Sequence, residues 1–301
     1  MLVRCSILPG TRAEPKRRSD GPFFGSVVVD LIARSVRLRC ETSYVSTDLQ
    51  LAFQLADVAD AINLEAWSSS GVRWTTKADG SPVTEADIAA EHAMRSHLLA
   101  ACPADGFVGE EIGEITGSSG RRWIVDGIDG TRFFAAGHRA WGTLIALERE
   151  GAVVIGVSSS PAQQRGWWAT RGGGAFTSST TDAPAPVRLQ VSRSREARPD
   201  HIATLPGFDR MATNQQQIIE SLLGAPAPDR TWSHQNKVAS GELDACIWFG
   251  GDLWDHAAPS ILVEEAGGRF TNHQGAHRLD TRTAIYSNGL IHEDILAALE
   301  R

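Results

Sequence analysis

The stretch Trp123-Ile124-Val125-Asp126-Gly127-Ile128-Asp129-Gly130-Thr131 decides how the rest of the chain reads. A compact β-like run over residues 122–125 leads into an acid, and two glycines then break it. A strand that ends at Asp126 and turns at Gly127 and Gly130 can aim the carboxylates of Asp126 and Asp129 at one point, together with the carbonyl of Ile128 between them. Gly130 and Thr131 then offer backbone N–H groups at a helix or turn start, where an anion is welcome. Cation ligands on one side and N–H donors on the other make a phosphate cradle.

Two further segments set acids beside apolar residues and tight turns: Gly109-Glu110-Glu111 and Leu253-Trp254-Asp255-His256-Ala257-Ala258. Burying an unpaired carboxylate costs several kcal/mol, roughly, so acids in such surroundings normally meet a cation or a metal. Carboxylate oxygens are hard ligands suited to Mg²⁺. Taken singly, each acid is equally well a turn former or a surface charge. Three such segments in one chain make the metal reading specific.

Outward from these segments the chain reads as mixed α and β. Ser46, Thr47 and Asp48 offer helix caps. Leu49, Leu51, Phe53, Leu55, Val58, Ala59, Ile62 and Leu64 then follow at near-helical spacing. A second helix starts at Thr84-Glu85-Ala86-Asp87. Residues 143–148, 152–158 and 166–169 form an antiparallel meander, and 187–191 a further strand. Beyond these the pattern predicts helices over 215–223, from 237, over 256–265 and over 293–299, with strands at 246–249, 269–271 and 283–286. Residues 1–44 mix Arg, Lys, Pro and Gly around a short apolar patch at 27–32 that contains Asp30. They read as a disordered extension outside the core, not as a signal peptide.

Composition excludes some classes. The chain has 301 residues, 42% hydrophobic and 22% charged, which suits a soluble globular protein with a sizeable core. A net charge of -7 argues against nucleic-acid binding, which needs a basic footprint. No apolar run approaches the ~20 residues that span a bilayer. Cys5, Cys40, Cys102 and Cys246 form no C-x-x-C pair, so neither a zinc cage nor a disulfide scaffold is indicated; reduced thiols in a cytoplasmic protein are expected.

Residues 46–299 resemble the inositol monophosphatase superfamily, and within it the histidinol-phosphate phosphatase branch. The family signatures are Gly-Glu-Glu, Asp-Pro-Ile-Asp-Gly-Thr and Trp-Asp-x-Ala-Ala followed by Glu-Ala-Gly-Gly. Their counterparts here are Gly109-Glu110-Glu111, Asp126 to Thr131 with Gly127 in place of proline, and Trp254-Asp255-His256-Ala257-Ala258 leading to Glu265-Ala266-Gly267-Gly268. Residues 141–147, 160–169 and Ser287-Asn288-Gly289-Leu290 with His292 carry the likeness to the branch. The resemblance implies an α/β (α+β) fold, a layered α-β-α-β-α sandwich over residues 45–301 with an α+β half (45–185) and an α/β half (186–301). It also implies two or three Mg²⁺ ions per site, a small phosphorylated metabolite as substrate, and a homodimer. Residue by residue, it makes Glu110, Asp126, Asp129, Asp255 and the Ile128 carbonyl metal ligands. Thr131, with Glu110, would orient the attacking water; Asp87 is the acid near that threonine; Lys77 is the basic residue at the rim. Gly130, Thr131 and Asp255 would also contact substrate.

The departures fall on two places. Gly127 frees a backbone angle that proline would fix, which predicts a looser or slower site. Trp248 stands seven residues before Asp255, where the family places a substrate-contacting glutamate, and the family's preceding Gly-Asp segment is lost near residues 230–236. Trp248 can instead stack on a flat substrate group. The expected activity is hydrolysis of histidinol phosphate. A phosphatase for an inositol, sugar or nucleoside phosphate is the second reading, and a metal-binding homologue without catalysis the third. His138 and His256 are expected to pack or touch substrate and not to catalyse.

Overall fold

The computed structural model describes residues 46–69, 72–78, 80–179, 185–206, 212–223 and 232–299. The reading of residues 1–44 as a disordered extension falls outside these.

Helix α1 (Thr47–Ser68) starts where Ser46 caps it, its side chain accepting from the Leu49 N–H. A two-stranded ribbon, β1 (Trp74–Thr76) and β2 (Pro82–Thr84), leads into α2 (Glu85–Ala101). Then come β3 (Gly106–Gly109), β4 (Gly113–Ile115), β5 (Arg121–Asp129), the one-turn α3 (Thr131–Ala135), β6 (Gly142–Arg149), β7 (Ala152–Ser160), β8 (Arg165–Thr170), β9 (Gly174–Ser179) and the short β10 (Val187–Arg188). These strands form an eight-stranded sheet in the order β10-β9-β8-β7-β6-β5-β3-β4, antiparallel except where β3 runs parallel to β5. A four-stranded sheet follows, β11-β12-β14-β13, from β11 (Ile202–Leu205), β12 (Ala245–Phe249), β13 (Arg269–Thr271) and β14 (Thr283–Ser287). The second half supplies helices α4 (Thr213–Leu223), α5 (His234–Ala239), α6 (Leu253–Glu265) and α7 (His292–Leu299).

Alternation along β5 builds the layers. Trp123 and Val125 point to one face, where they join Leu55, Ala59, Ala90 and Met94 of α1 and α2. Ile124 points to the other, toward Ala258, Ile261 and Leu262 of α6, which also cover Cys246, Ala284 and Tyr286 of the small sheet. The far face of that sheet, Ile247 and Ile285, packs on Ile219 of α4 and Ile295 of α7. The order is therefore α-β-α-β-α, as the resemblance implies.

The structure corrects two expected elements. The strand at 187–191 is only Val187–Arg188: Leu189 and Val191 are buried, but the N–H of Val191 donates to Ala266 and not to a sheet neighbour. The helix expected from 237 begins at His234, because Ser233 takes a left-handed turn (φ 59°) just ahead of it. Among the described residues no helix is long and apolar enough to cross a membrane.

Candidate active site

In a regular strand, residues three apart point to opposite faces. Asp126 and Asp129 escape that rule because the pairing of β5 with β6 is irregular between them, running from Asp126 opposite Leu144 to Asp129 opposite Gly142. The Ile128 N–H donates to Asp126 Oδ1 at 2.9 Å and closes the local turn. Asp255 arrives from the start of α6. It is the third residue of a capping box with Asp252, whose N–H donates to Asp255 Oδ2 at 2.6 Å. Asp126, Asp129 and Asp255 thus offer oxygens that all lie within 4.8 Å of one another.

Three acids this close strain each other's ionisation. Burial, then the charges of Glu110, Asp129 and Asp255, push Asp126 well above the carboxylate range. Burial and the Asp129 charge do the same to Asp255. Asp129 is raised to about 6, chiefly by burial, while hydrogen bonds from the Trp232 indole and the Gly130 amide pull the other way. A divalent cation between them would relieve all three, and an all-oxygen donor set fits a hard ion.

Glu110 does not join the three-acid group. Its carboxylate is bound by Lys77 Nζ, which also reaches Glu111 Oε1 at 2.7 Å. Burial works against the charge on Lys77, but its two glutamate partners more than reverse that and hold it protonated. Glu110 is nonetheless near enough to raise Asp126. Lys77 is therefore paired with both Glu110 and Glu111.

A second capping box places Asp87. Thr84 caps α2; its N–H and hydroxyl donate to Asp87 Oδ2 at 2.7 and 2.5 Å. The other oxygen, Oδ1, lies 3.2 Å from Thr131 Oγ1, which is 2.9 Å from the Ile128 carbonyl oxygen. Thr131 and Asp87 are thus paired beside the acids, and burial raises Asp87 to about 6. Gly130, with φ 86°, makes the left-handed turn that starts α3.

Three residues that sequence reasoning passed over complete the surroundings. Glu91, one turn beyond Asp87, is fully buried and accepts the N–H groups of Glu111 and Ile112 at 3.0 Å each. A Cβ on Gly109 would fall 2.2 Å from Glu91 Oε2, which explains the glycine before Glu110. Asp60 of α1 is buried and takes hydrogen bonds from Ser159 and Thr143. Trp232 donates its indole N–H to Asp129 Oδ2 at 2.8 Å. The capping pattern at Asp87 and its one-turn repeat could have marked Glu91. Nothing in the sequence links Trp232 to a residue 103 positions away.

Gly127 is corrected. Its φ is not in the left-handed region, so conformational freedom is not what the position uses. A Cβ there would meet the Asp87 carbonyl at 2.9 Å, Glu91 Cγ at 3.2 Å and Ala90 Cβ at 3.4 Å. The glycine lets α2 approach the strand, and its carbonyl is held by Asn63 Nδ2 and Thr143 Oγ1 at 2.8 and 3.1 Å. The site is tight here, not loose. Gly127→Ala should cost about 1–3 kcal/mol by overpacking, read as a lowered midpoint in urea unfolding.

Trp248 is half-buried at the end of β12. It meets the His256 ring edge-on at 5.0 Å and lies over the Gly250-Gly251 turn that leads into Asp252 and Asp255. His256 is buried and lowered to about 4 by that burial. It is therefore neutral, its Nδ1 2.8 Å from the Tyr286 hydroxyl and its Nε2 3.1 Å from the Gly250 carbonyl oxygen. It supports the turn, while His138 is exposed beside Phe133.

Comparison with known proteins gives the class. A histidinol-phosphatase of Mycobacterium tuberculosis is 39% identical over 260 residues, covering 84% of this chain and 97% of its own. A Streptomyces griseus protein named glucose-1-phosphate thymidylyltransferase is also 39% identical, over 252 residues, covering 80% and 92%. The crystal structure of the extragenic suppressor protein suhB from Bartonella henselae superposes with a TM-score of 0.74 at 28% identity, covering 85% of this chain and 99% of that one. The protein is a phosphoric monoester hydrolase. It belongs to the inositol monophosphatase family, whose model matches residues 45–301.

Proposed function

We propose that the protein hydrolyses a small soluble phosphate monoester with Mg²⁺ as cofactor, histidinol phosphate being the first candidate substrate. The observation that carries this reading is the meeting of Asp126, Asp129 and Asp255, with the Thr131–Asp87 pair beside them. When bound, two or three divalent cations supply charge neutralisation at the phosphoryl oxygens and acidify water. The chain's own part is placement, which accounts for most of the work in phosphoryl transfer. Asp126, Asp129, Asp255, Glu110 and the Ile128 carbonyl would hold the ions. Thr131 Oγ1 accepts a proton from the attacking water and passes its own to Asp87 Oδ1, whose raised affinity suits a base. Gly130 and Thr131 would receive the phosphate, and Lys77 balances the charges of Glu110 and Glu111. The protein acts in the cytoplasm as a homodimer on this reading.

A second substrate class, the sugar phosphates, is favoured by Trp248, which stands where the family's acid would meet an ammonium group, and by the sugar phosphate in the name of the S. griseus relative. A phosphate-release assay with Mg²⁺ on histidinol phosphate, inositol phosphate, sugar phosphates and nucleoside monophosphates separates the two. Fastest turnover of histidinol phosphate supports the first reading, and fastest turnover of a sugar phosphate the second. No turnover of any ester, with Mg²⁺ still bound, means a homologue that has lost catalysis.

A further inference from the structure

We infer that Trp232 is a positioning residue for the cation site, its indole N–H fixing the orientation in which Asp129 presents its carboxylate. The inference rests on the reading of Asp126, Asp129 and Asp255 as cation ligands and goes beyond it.

The hydrogen bond from Trp232 Nε1 to Asp129 Oδ2 is 2.8 Å long. Trp232 is 7% exposed, so the ring that carries the donor is largely shielded from water. The seat for the ring is built into the sheet. A Cβ on Gly142 would fall 2.3 and 2.5 Å from Trp232 Cη2 and Cζ2, and one on Gly130 would lie 3.3 Å from Cδ1. Gly142 is also the strand partner of Asp129, so the ring lies against the irregular step that turns the acid inward. On its other side the Trp167 ring packs at 6.0 Å and 59°. The segment is pinned just beyond by Asn236, whose Nδ2 donates to Ser158 Oγ at 2.9 Å.

The chemistry of the donor matters as much as its place. An indole N–H is a donor only, fixed in the plane of a ring that cannot turn in this seat, and it cannot itself ligate a cation. It therefore removes rotational freedom from the Asp129 carboxylate without competing for the ion. Partners of this kind around metal ligands are typically worth about 10- to 100-fold in metal affinity.

The test is calorimetric titration of Mg²⁺ into the full chain without substrate, comparing wild type, Trp232→Phe, and a variant with benzothienylalanine at position 232. The last keeps the outline of the ring and replaces N–H by sulfur. Both variants are expected to bind Mg²⁺ about 10- to 100-fold more weakly. The Mg²⁺ concentration for half-maximal activity should rise in step, while kcat at saturating Mg²⁺ stays near the wild-type value. Wild-type affinity in the benzothienylalanine variant overturns the inference whatever Trp232→Phe does, because packing and not the N–H would then be at issue. If Trp232→Phe does not fold, the benzothienylalanine comparison stands alone. Absence of Mg²⁺ uptake by the wild type is a different failure: it removes the cation-site reading itself, and this inference with it.

Discussion

Asp129→Asn and Asp255→Asn are each expected to lower phosphate release by at least about 10³-fold while leaving a folded protein, because each removes a charge that several kcal/mol of electrostatic catalysis depends on. The retained fold follows from the ionisation of the site. Without cations, burial and mutual repulsion push Asp126 and Asp255 well above the ordinary range and Asp129 to about 6. A carboxyl raised in the folded state favours folding while it is protonated, and that contribution is lost as pH rises through the folded-state value. At pH 8 in EDTA the crowded acids therefore work against folding, and an amide in place of one of them removes repulsion. The thermal midpoint of either variant in EDTA should equal or exceed that of the wild type. Addition of Mg²⁺ should raise the wild-type midpoint and leave the variants nearly unmoved. Wild-type turnover in either variant would remove the assigned roles.

Asp60 gives the second large effect, away from the ions. It is 1% exposed, and burial raises it to about 7, against the hydrogen bonds from Ser159 and Thr143 that lower it. The unfolded chain releases this proton near pH 4, so between pH 4 and 7 the folded state holds a proton that the unfolded state does not. Stability falls with rising pH across that window and levels off above 7. Between pH 5 and 8 the loss from this one group is about 2–3 kcal/mol. Asp60→Asn keeps an acceptor for one hydroxyl and offers an amide to the other. Urea unfolding at the two pH values should show the wild type losing about 2–3 kcal/mol more than Asp60→Asn does. Equal losses would mean that Asp60 is ionised in the fold at pH 5.

The signals that exposed the site in the sequence were local. Asp126, Asp129 and the two glycines lie within five residues, and Asp87 and Asp255 each stand in a short acid-bearing segment, whereas the capping boxes that aim them appear only in the structure. The layered order was carried by the family resemblance; the residues themselves showed the apolar spacing of α1 and a strand at 122–125. What stayed hidden was distance in sequence and direction in space. Trp232 reaches Asp129 across 103 residues, and the loss of a Gly-Asp segment was noticed without what replaces it. Gly127 was read as slack because a glycine's free backbone is visible in sequence, whereas the helix pressing on it is not. The strand expected at 187–191 stops at Arg188: the Leu189 N–H still donates to Ala175 of β9, but that of Val191 turns to Ala266 at the end of α6, and buried apolar residues in sequence do not mark that departure.

The proposed phosphatase chemistry requires that Asp126, Asp129 and Asp255 hold cations together. Anomalous diffraction from crystals of the full chain grown with Mn²⁺ in place of Mg²⁺ and with inorganic phosphate tests this most directly. At least one strong peak is expected between the three carboxylates, with phosphate beside it near Gly130 and Thr131. Density for the chain with no peak there, or with Mn²⁺ bound only at other acids, would contradict it.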